Sequence, residues 1–380
     1  MKLAIFLRAR DIWGAERSLL TLLESDQADK HDIHVFIHPQ SPLGPELDRI
    51  GVNWAAHDFL EHRSVAEGGL RHASFKSVAH DLAGIAVQGF KTRRLVSTFD
   101  TVLTFGLWET PEIALAGRLS RTPVIFDFHV TFGGRPGQLA IKGIMSLVTG
   151  VIAPANATFL QANILEPSAK RKVVVRPVNF PELVQGLQES PRRRKLRVGI
   201  FGQVDERKRV LEVARSLSPL REQLELLVVG TRPEEDQTDY ERTVVSEVEG
   251  TGSGWAVLPR SNTVANLMAD CDVILNMSRH EAFGRTVVEA VYMGAHPVVV
   301  SGGGPAEIVQ QMGVGTVVSS WDELRVVLST LSGKVATGES VRVNPDLVKN
   351  VRERYSPSSV AKEYFSAVTQ LAFGNPSLES

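Results

Sequence analysis

The sequence predicts an α/β protein built from two open, doubly wound parallel-sheet domains in tandem. Three observations predict it. Short apolar runs rich in β-branched residues alternate with segments of helical spacing along almost the whole chain. The alternation breaks once, in the polar, basic, proline-bearing PELVQGLQESPRRRK (181–195), and then restarts. At about 100–200 residues per domain, 380 residues give room for two.

In the first half, KLAIFL (2–7) reads as a strand and GAERSLLTLLE (14–24) as a helix. DIHVFIH (32–38) and FDTVLTF (99–105) read as strands, TPEIALAGRLS (110–120) as a helix and TPVIFDFH (122–129) as a strand ending in His129. GVIAPANATFLQAN (150–163) holds a strand and a helix, and KVVVRPVNF (172–180) another strand. In the second half, LRVGIFG (196–202) and LELLVVG (224–230) are strands flanking the helix RVLEVARSLSPL (209–220). GWAVLPR (254–260), the helix NTVANLMAD (262–270) and the strand DVILNM (272–277) follow. The strand HPVVVS (296–301), the helix GPAEIVQQMG (304–313), the strand GTVVSS (315–320) and the helix DELRVVLSTL (322–331) close the pattern. Ser-Pro-Ser opens a last helix, SPSSVAKEYFSAVTQLAF (356–373). The expected domains are 1–180 and 195–355, with the terminal helix (357–380) packing back on the first. Ligands of such sheets bind outside the carboxyl ends of the strands, so two facing domains make a cleft for a small molecule.

Composition bounds the function. A net charge of -1 gives no whole-molecule attraction to nucleic acid. The lone Cys271 has no disulfide partner and reads as a small buried residue. The apolar run LAIFL stops at Arg8, too soon for a secretory signal. No stretch reaches the roughly 20 apolar residues of a spanning helix. The expectation is a cytoplasmic protein, with peripheral membrane contact left open. FKTRRLVST (90–98) and AIKGIMSL (140–147) are basic and partly apolar, and read either as a patch for an anionic bilayer or as solvated surface.

The densest stretch is SRHEAFGRTVVEAVYMGAHPVVVS (278–301). A strand ends just before it, RHEAFG is a loop, and RTVVEAVYMG is a helix stopped by Gly294. The helix N-terminus offers N–H groups and partial positive charge to a phosphate. Gly284 lets the backbone approach it, and Arg285 and Thr286 stand beside it. Glu281 before the helix and Glu289 inside it are acceptors for paired sugar hydroxyls. The set fits a nucleotide-sugar, with one acid on the hexose, the helix end on the diphosphate and the other acid on the ribose. There is no Asp-x-Asp and no metal-ligand spacing; the three histidines of HDIHVFIH would mostly point to alternate faces. Neither a metal nor another cofactor is expected.

Glu281 and Glu289 with seven residues between them, together with Phe283-Gly284, Ala290, Gly294 and Pro297-Val298-Val299, resemble the E-x7-E signature of retaining glycosyltransferases of family 4. SGGGPAEIV (301–309), GIFGQVDERKRV (199–210), WGAERSLL (13–20), IFDFH (125–129) and RERYSPSSVAKEYF (352–365) are similar to further motifs of that family, so the likeness covers nearly the whole chain. The resemblance implies the GT-B fold, two Rossmann-like domains facing across a cleft. It implies transfer of a sugar, with retention, from a nucleoside-diphosphate sugar to a glycan or a lipid-linked or lipopolysaccharide-type acceptor, as in building cell-surface polysaccharide. It places His129, Glu281 and Lys208 in the catalytic group. Gly14, Gln203, Lys208, Phe283, Gly284, Arg285 and Thr286 fall at the donor diphosphate, and Glu289 and Arg260 at ribose and base. Glu307 resembles a loop acid that contacts ribose or shapes the site, and an acid there also suits a helix start. Gln203 stands where the family has arginine, so Arg207, Arg209 or Arg285 is expected to supply the charge. Trp13 replaces a glycine and either narrows the site, touches the acceptor or packs in the core. Asp127 either orients a neighbour or caps. The competing readings are a non-catalytic partner or glycan-binding protein of the same fold and a nucleotide-sugar epimerase.

Overall fold

The computed structural model describes residues 1–12, 14–66, 74–129, 135–164, 170–177, 195–250, 254–261, 263–278 and 280–374. Trp13 and nearly all of the basic segment 181–195 lie outside them. The chain divides into two compact units, Met1–Pro177 with Ser356–Ser380, and Val178–Tyr355.

The first unit carries strands β1 (Lys2–Leu7), β2 (Asp32–Ile37), β3 (Asn53–Ala56), β4 (Thr101–Thr104), β5 (Val124–Asp127), β6 (Gly150–Ala153) and β7 (Arg171–Val173). Between them run helices α1 (Gly14–Leu23), α2 (Leu43–Arg49), α3 (Arg63–Ala66), α4 (Phe75–Val96), α5 (Thr110–Ser120), α6 (Arg135–Leu147) and α7 (Asn156–Gln161). The second unit has β8 (Leu196–Phe201), β9 (Leu224–Thr231), β10 (Trp255–Pro259), β11 (Val273–Asn276), β12 (His296–Val300) and β13 (Thr316–Val318). Its helices are α8 (Val210–Leu217), α9 (Asp239–Glu249), α10 (Val264–Ala269), α11 (Arg285–Tyr292), α12 (Gly304–Met312), α13 (Trp321–Ala336) and α14 (Pro345–Arg354). The last helix, α15 (Pro357–Phe373), belongs to the first unit.

The sheets run in the orders β3-β2-β1-β4-β5-β6-β7 and β10-β9-β8-β11-β12-β13, and every neighbouring pair is parallel. Each order reverses once, between β1 and β4 and between β8 and β11. That reversal is where an open parallel sheet leaves a crevice at its carboxyl end. Strands such as β8 and β12 are buried on both faces over most of their length, which is why they read as near-continuous apolar runs interrupted only by Arg197 and His296. Val198, Val228 and Val273 pack under α8 and α13 on one face of the second sheet, while Leu227, Ile274 and Ala290 form a core on the other. Cys271 is fully buried in that second core.

Local signals set the helix ends. Ser356 accepts from the Ser359 amide at the start of α15, and Thr238 and Glu241 form a reciprocal capping box on α9. Gly294 after α11 has φ +74°. Expected boundaries move: β5 ends at Asp127, so His129 lies two residues beyond the strand, and the strand expected from 172 ends at Val173.

At the ends of β8 and β9 the two backbone segments nearly touch. Gly230 has φ +138°, and a Cβ there would stand 2.0 Å from the Gly202 carbonyl oxygen. Gly230→Ala should therefore lower unfolding free energy by about 2–4 kcal/mol in urea denaturation; a loss within 0.5 kcal/mol, roughly the neutral range for surface changes, contradicts this close approach.

Candidate functional site

In the second unit the chain leaves β8 through Gly202, whose φ is +118°. Asp205 then caps a turn of 3₁₀ helix over 206–208, accepting from the Lys208 amide at 3.2 Å and from the Arg207 guanidinium at 2.6 Å. This turn aims Lys208 across the crevice, where its ammonium donates to the Glu281 carboxylate. Both side chains keep about a fifth of their surface exposed, 20% and 21%.

Asn276 organises the other bank. It is the last residue of β11 and is buried. Its amide nitrogen donates to Glu281 Oε2 at 3.3 Å and to Thr286 Oγ1 at 3.2 Å, and its oxygen accepts from the Ser278 amide at 3.2 Å. Strand end, loop and helix start are thereby held by one side chain. Gly284 opens α11 at φ +88°, against Pro305. The glycine-rich loop is pressed onto the same segment. The Gly304 amide donates to the Glu281 carbonyl at 3.0 Å, and a Cβ on Gly304 would sit 2.1 Å from the Ala282 carbonyl oxygen. On α11, Arg285 Nε lies 3.4 Å from Glu289 Oε1, an i,i+4 pair.

So Lys208, Glu281, Gly284, Arg285, Thr286 and Glu289 gather at the carboxyl ends of β8 and β11. Gln203 is half-buried two residues past β8, at the same end. Phe283 is buried, its ring 6.3 Å from that of Tyr355, so its side chain packs rather than reaching a ligand. Arg260 is exposed past β10, two strands away at the sheet edge. Glu307 lies in the first turn of α12, half-buried, with its Oε1 accepting from Gln311 at 3.1 Å. Gly14 and His129 belong to the first unit. Among the described residues, no group of three His, Cys, Asp or Glu is placed to hold a metal ion.

The first unit has its own crevice where its strand order reverses, a cavity of about 510 Å³ bordered by Leu7, Arg8, Phe105, Trp108, Glu109 and His129. His129 Nδ1 lies 3.1 Å from the Asp127 carbonyl oxygen and 3.8 Å from its carboxylate. That carboxylate is fully buried. It pairs with Arg176 and accepts from the Tyr364 hydroxyl of α15 at 2.7 Å. Burial works to raise the Asp127 pKa, but Arg176, His129 and Tyr364 outweigh it and hold the carboxyl below its usual range. Asp127 is thus an orienting acid rather than a cap. Sequence reading missed this cluster because its members lie 49 and 237 residues apart. It missed Asn276 as well, whose signal was a single polar residue closing a buried apolar strand.

With that geometry in view, comparison with known proteins is informative. Residues 195–331, which contain Asn276, Glu281 and Lys208, match the sequence model of the family described as Glycosyl transferases group 1. A probable sucrose-phosphate synthase of Thermosipho melanesiensis is 23% identical over 209 residues, covering 53% of this chain and 48% of that protein. The chain thus spans about half the length of the curated relative it matches. The Anabaena protein Alr3699/HepE, crystallised with UDP, superposes with a TM-score of 0.75 at 18% identity, covering 97% of this chain and all of that one. The lipopolysaccharide outer core galactosyltransferase WaaB in its apo form superposes at 0.71 with 13% identity, over 97% and 99% of the two chains. The fold is of the GT-B class, two Rossmann-like parallel-sheet domains in one chain.

Glu109 carries a pH dependence. It is 2% exposed and accepts from the Gly106 amide at 2.5 Å. Burial pushes its carboxyl up to about 7 from an ordinary 4.5. A raised native pKa contributes stability that is full below the unfolded value and lost as pH climbs through the native one. Measured by denaturant unfolding, wild type should lose on the order of 3 kcal/mol relative to Glu109→Gln between about pH 4 and pH 8. A wild-type-minus-variant difference that stays flat with pH refutes the shift.

Proposed function

We propose that this chain is a retaining glycosyltransferase that moves a hexose from a nucleoside-diphosphate sugar to a glycan or lipid-linked acceptor of cell-surface polysaccharide type. The observation that carries the reading is the joining of Lys208, Glu281 and the start of α11 through Asn276, at the reversal point of a parallel sheet. Such a point takes a phosphate ligand on a helix N-terminus. The match of residues 195–331 to a glycosyltransferase family, and the UDP carried by a protein of the same fold, support it.

On this reading the diphosphate lies against the amides of 284–286, with Arg285 and Lys208 as its counter-charges and Gln203 as a neutral donor. Lys208 then exchanges Glu281 for phosphate, and the Glu281 carboxylate turns to the sugar hydroxyls. Glu289 takes the ribose and Arg260 the base. The bond from the anomeric carbon to the phosphate oxygen breaks, and the acceptor oxygen bonds to that carbon on the same face. The departing nucleoside diphosphate receives the acceptor's proton. Lys208 stabilises the charge that develops on the leaving phosphate, which is how a fixed cation lowers such a barrier. In the first unit, His129, whose Nδ1 lies 3.1 Å from the Asp127 carbonyl oxygen, is the proposed member of the catalytic group. No metal ion is assigned a role.

Calorimetric titration with UDP, GDP and ADP, followed by hydrolysis and transfer assays with the matching sugar donors, tests this. Lys208→Met should weaken nucleotide binding by about 10- to 100-fold, the worth of a hydrogen bond to a charged group. Glu281→Gln should keep or raise that affinity while turnover falls by roughly a hundredfold. Failure of all three nucleotides to bind rejects the assignment. Binding with no turnover in wild type identifies a non-catalytic protein of this fold instead.

A further inference from the structure

Helix α4 is inside out. A surface helix of a globular protein turns its apolar stripe to the core and its polar face to water. The residues α4 buries are Ser77, Asp81, Gly89, Thr92 and Val96. Four of its large apolar side chains point away from the protein: Phe75 is 88% exposed, Leu82 62%, Val87 54% and Phe90 57%. Ala79, Ala83 and Ala86 are exposed between them. At 3.6 residues per turn these seven positions share a sector of about 140°, opposite the buried one.

The inner face is only partly apolar: Val96 reaches the core with Leu95 packed against it, Val78 and Ile85 are half-buried, and polar groups do the rest. Asp81 accepts from the Arg63 and Ser64 amides at 2.8 and 3.1 Å and from the Ser64 hydroxyl at 2.6 Å. Gly89 lets α4 approach α5 so closely that a Cβ would lie 3.0 Å from the Glu112 carbonyl oxygen. The helix is therefore docked by Val96 together with polar anchors and close backbone contact, and a broad apolar stripe is left outward.

Charge selects what covers that side. Lys76, Lys91 and Arg94 are exposed along the seam, while the helix's one acid, Asp81, is buried. At the C-terminal end, Thr122 Oγ1 donates to the Val96 carbonyl at 3.4 Å, which brings Arg118 and Arg121 of the α5 end alongside. Those two and Lys170 border a shallow groove of about 320 Å³. A second copy of the same face would set lysines and arginines against their like, with no exposed acid on the helix to neutralise them. Anionic headgroups complement them.

We propose that α4 seats this protein on the surface of an anionic phospholipid bilayer, the helix lying in the membrane plane with its phenylalanines at the acyl boundary and its cations among the headgroups. No described helix is long and apolar enough to cross a membrane, so the contact is peripheral. It does not depend on the proposed reaction, and its test reads no turnover.

The full chain is floated with vesicles of phosphatidylcholine alone and of phosphatidylcholine with about a quarter phosphatidylglycerol, the anionic content that attracts a basic segment. The protein should float with the anionic vesicles only, and less at high salt. The double variants Phe75→Ser/Phe90→Ser and Lys91→Glu/Arg94→Glu should each cut the bound fraction by about tenfold or more with the melting transition unchanged, because these side chains touch water and not the core. The inference is overturned if wild type stays unbound to anionic vesicles, or if folded forms of both variants float as wild type does. It is equally overturned if wild type is a dimer that Phe75→Ser/Phe90→Ser converts to monomer without any vesicle binding.

Discussion

The Asn276 amide is the interaction on which the second unit's crevice depends. A buried amide must spend its donors and acceptor, or it costs the strand more than it contributes. Asn276 spends them on three separate pieces of chain: the Glu281 loop, Thr286 of α11 and the Ser278 backbone. The loop is then closed from above by Gly304, where no side chain fits. What remains mobile in charge terms is the Lys208–Glu281 pair. Each partner is largely desolvated, so each holds the other in place until a competing anion or hydroxyl set arrives.

The first unit solves a harder version of the same problem. Asp127 is fully buried, and its carboxyl is held below its usual range because Arg176, His129 and Tyr364 outweigh burial. Tyr364 comes from α15, the last helix of the chain, and its own ionisation is driven far up by burial and by the facing carboxylate. The terminal helix is therefore more than a packing element. It completes the polar shell of the acid beside His129, and it folds against β5 and β6 from the opposite end of the sequence.

How much of this was legible depends on where the information sat. Strands buried on both faces announced themselves as apolar runs, and α11 and α15 were marked by Gly294 and Ser356. The edge strand β3, exposed along its whole length, has no such run. Helix α4 escaped because its most continuous apolar stripe does not face the core and its inner face mixes Val96 with small and polar residues. The site divides in the same way. Lys208, Glu281, Gly284, Thr286 and Glu289 could be read together because one loop and one helix start carry most of them. The Arg176–Asp127–Tyr364 cluster could not, since only the folded sheet brings those positions to one point.

Gln203 raises the question of where the proposed diphosphate finds its second cation. Three arginines were open to the task, and their present contacts separate them. Arg207 is held by Asp205 at 2.6 Å, within the very turn that aims Lys208, so moving it would loosen the lysine. Arg209 is itself in left-handed conformation at the start of α8, and its guanidinium lies over the Trp321 ring at 4.3 Å, packing α8 against α13. Arg285 is the first residue of α11, beside Gly284 and Thr286, and its contact with Glu289 is long at 3.4 Å. A phosphate at the helix start would displace that weak pair, take the guanidinium in a two-pronged grip and leave Glu289 an open carboxylate for a ribose. On the proposed reading, the place of the family's arginine after β8 would be taken from α11, and the exchange that neutralises the phosphate would also prepare the neighbouring acid.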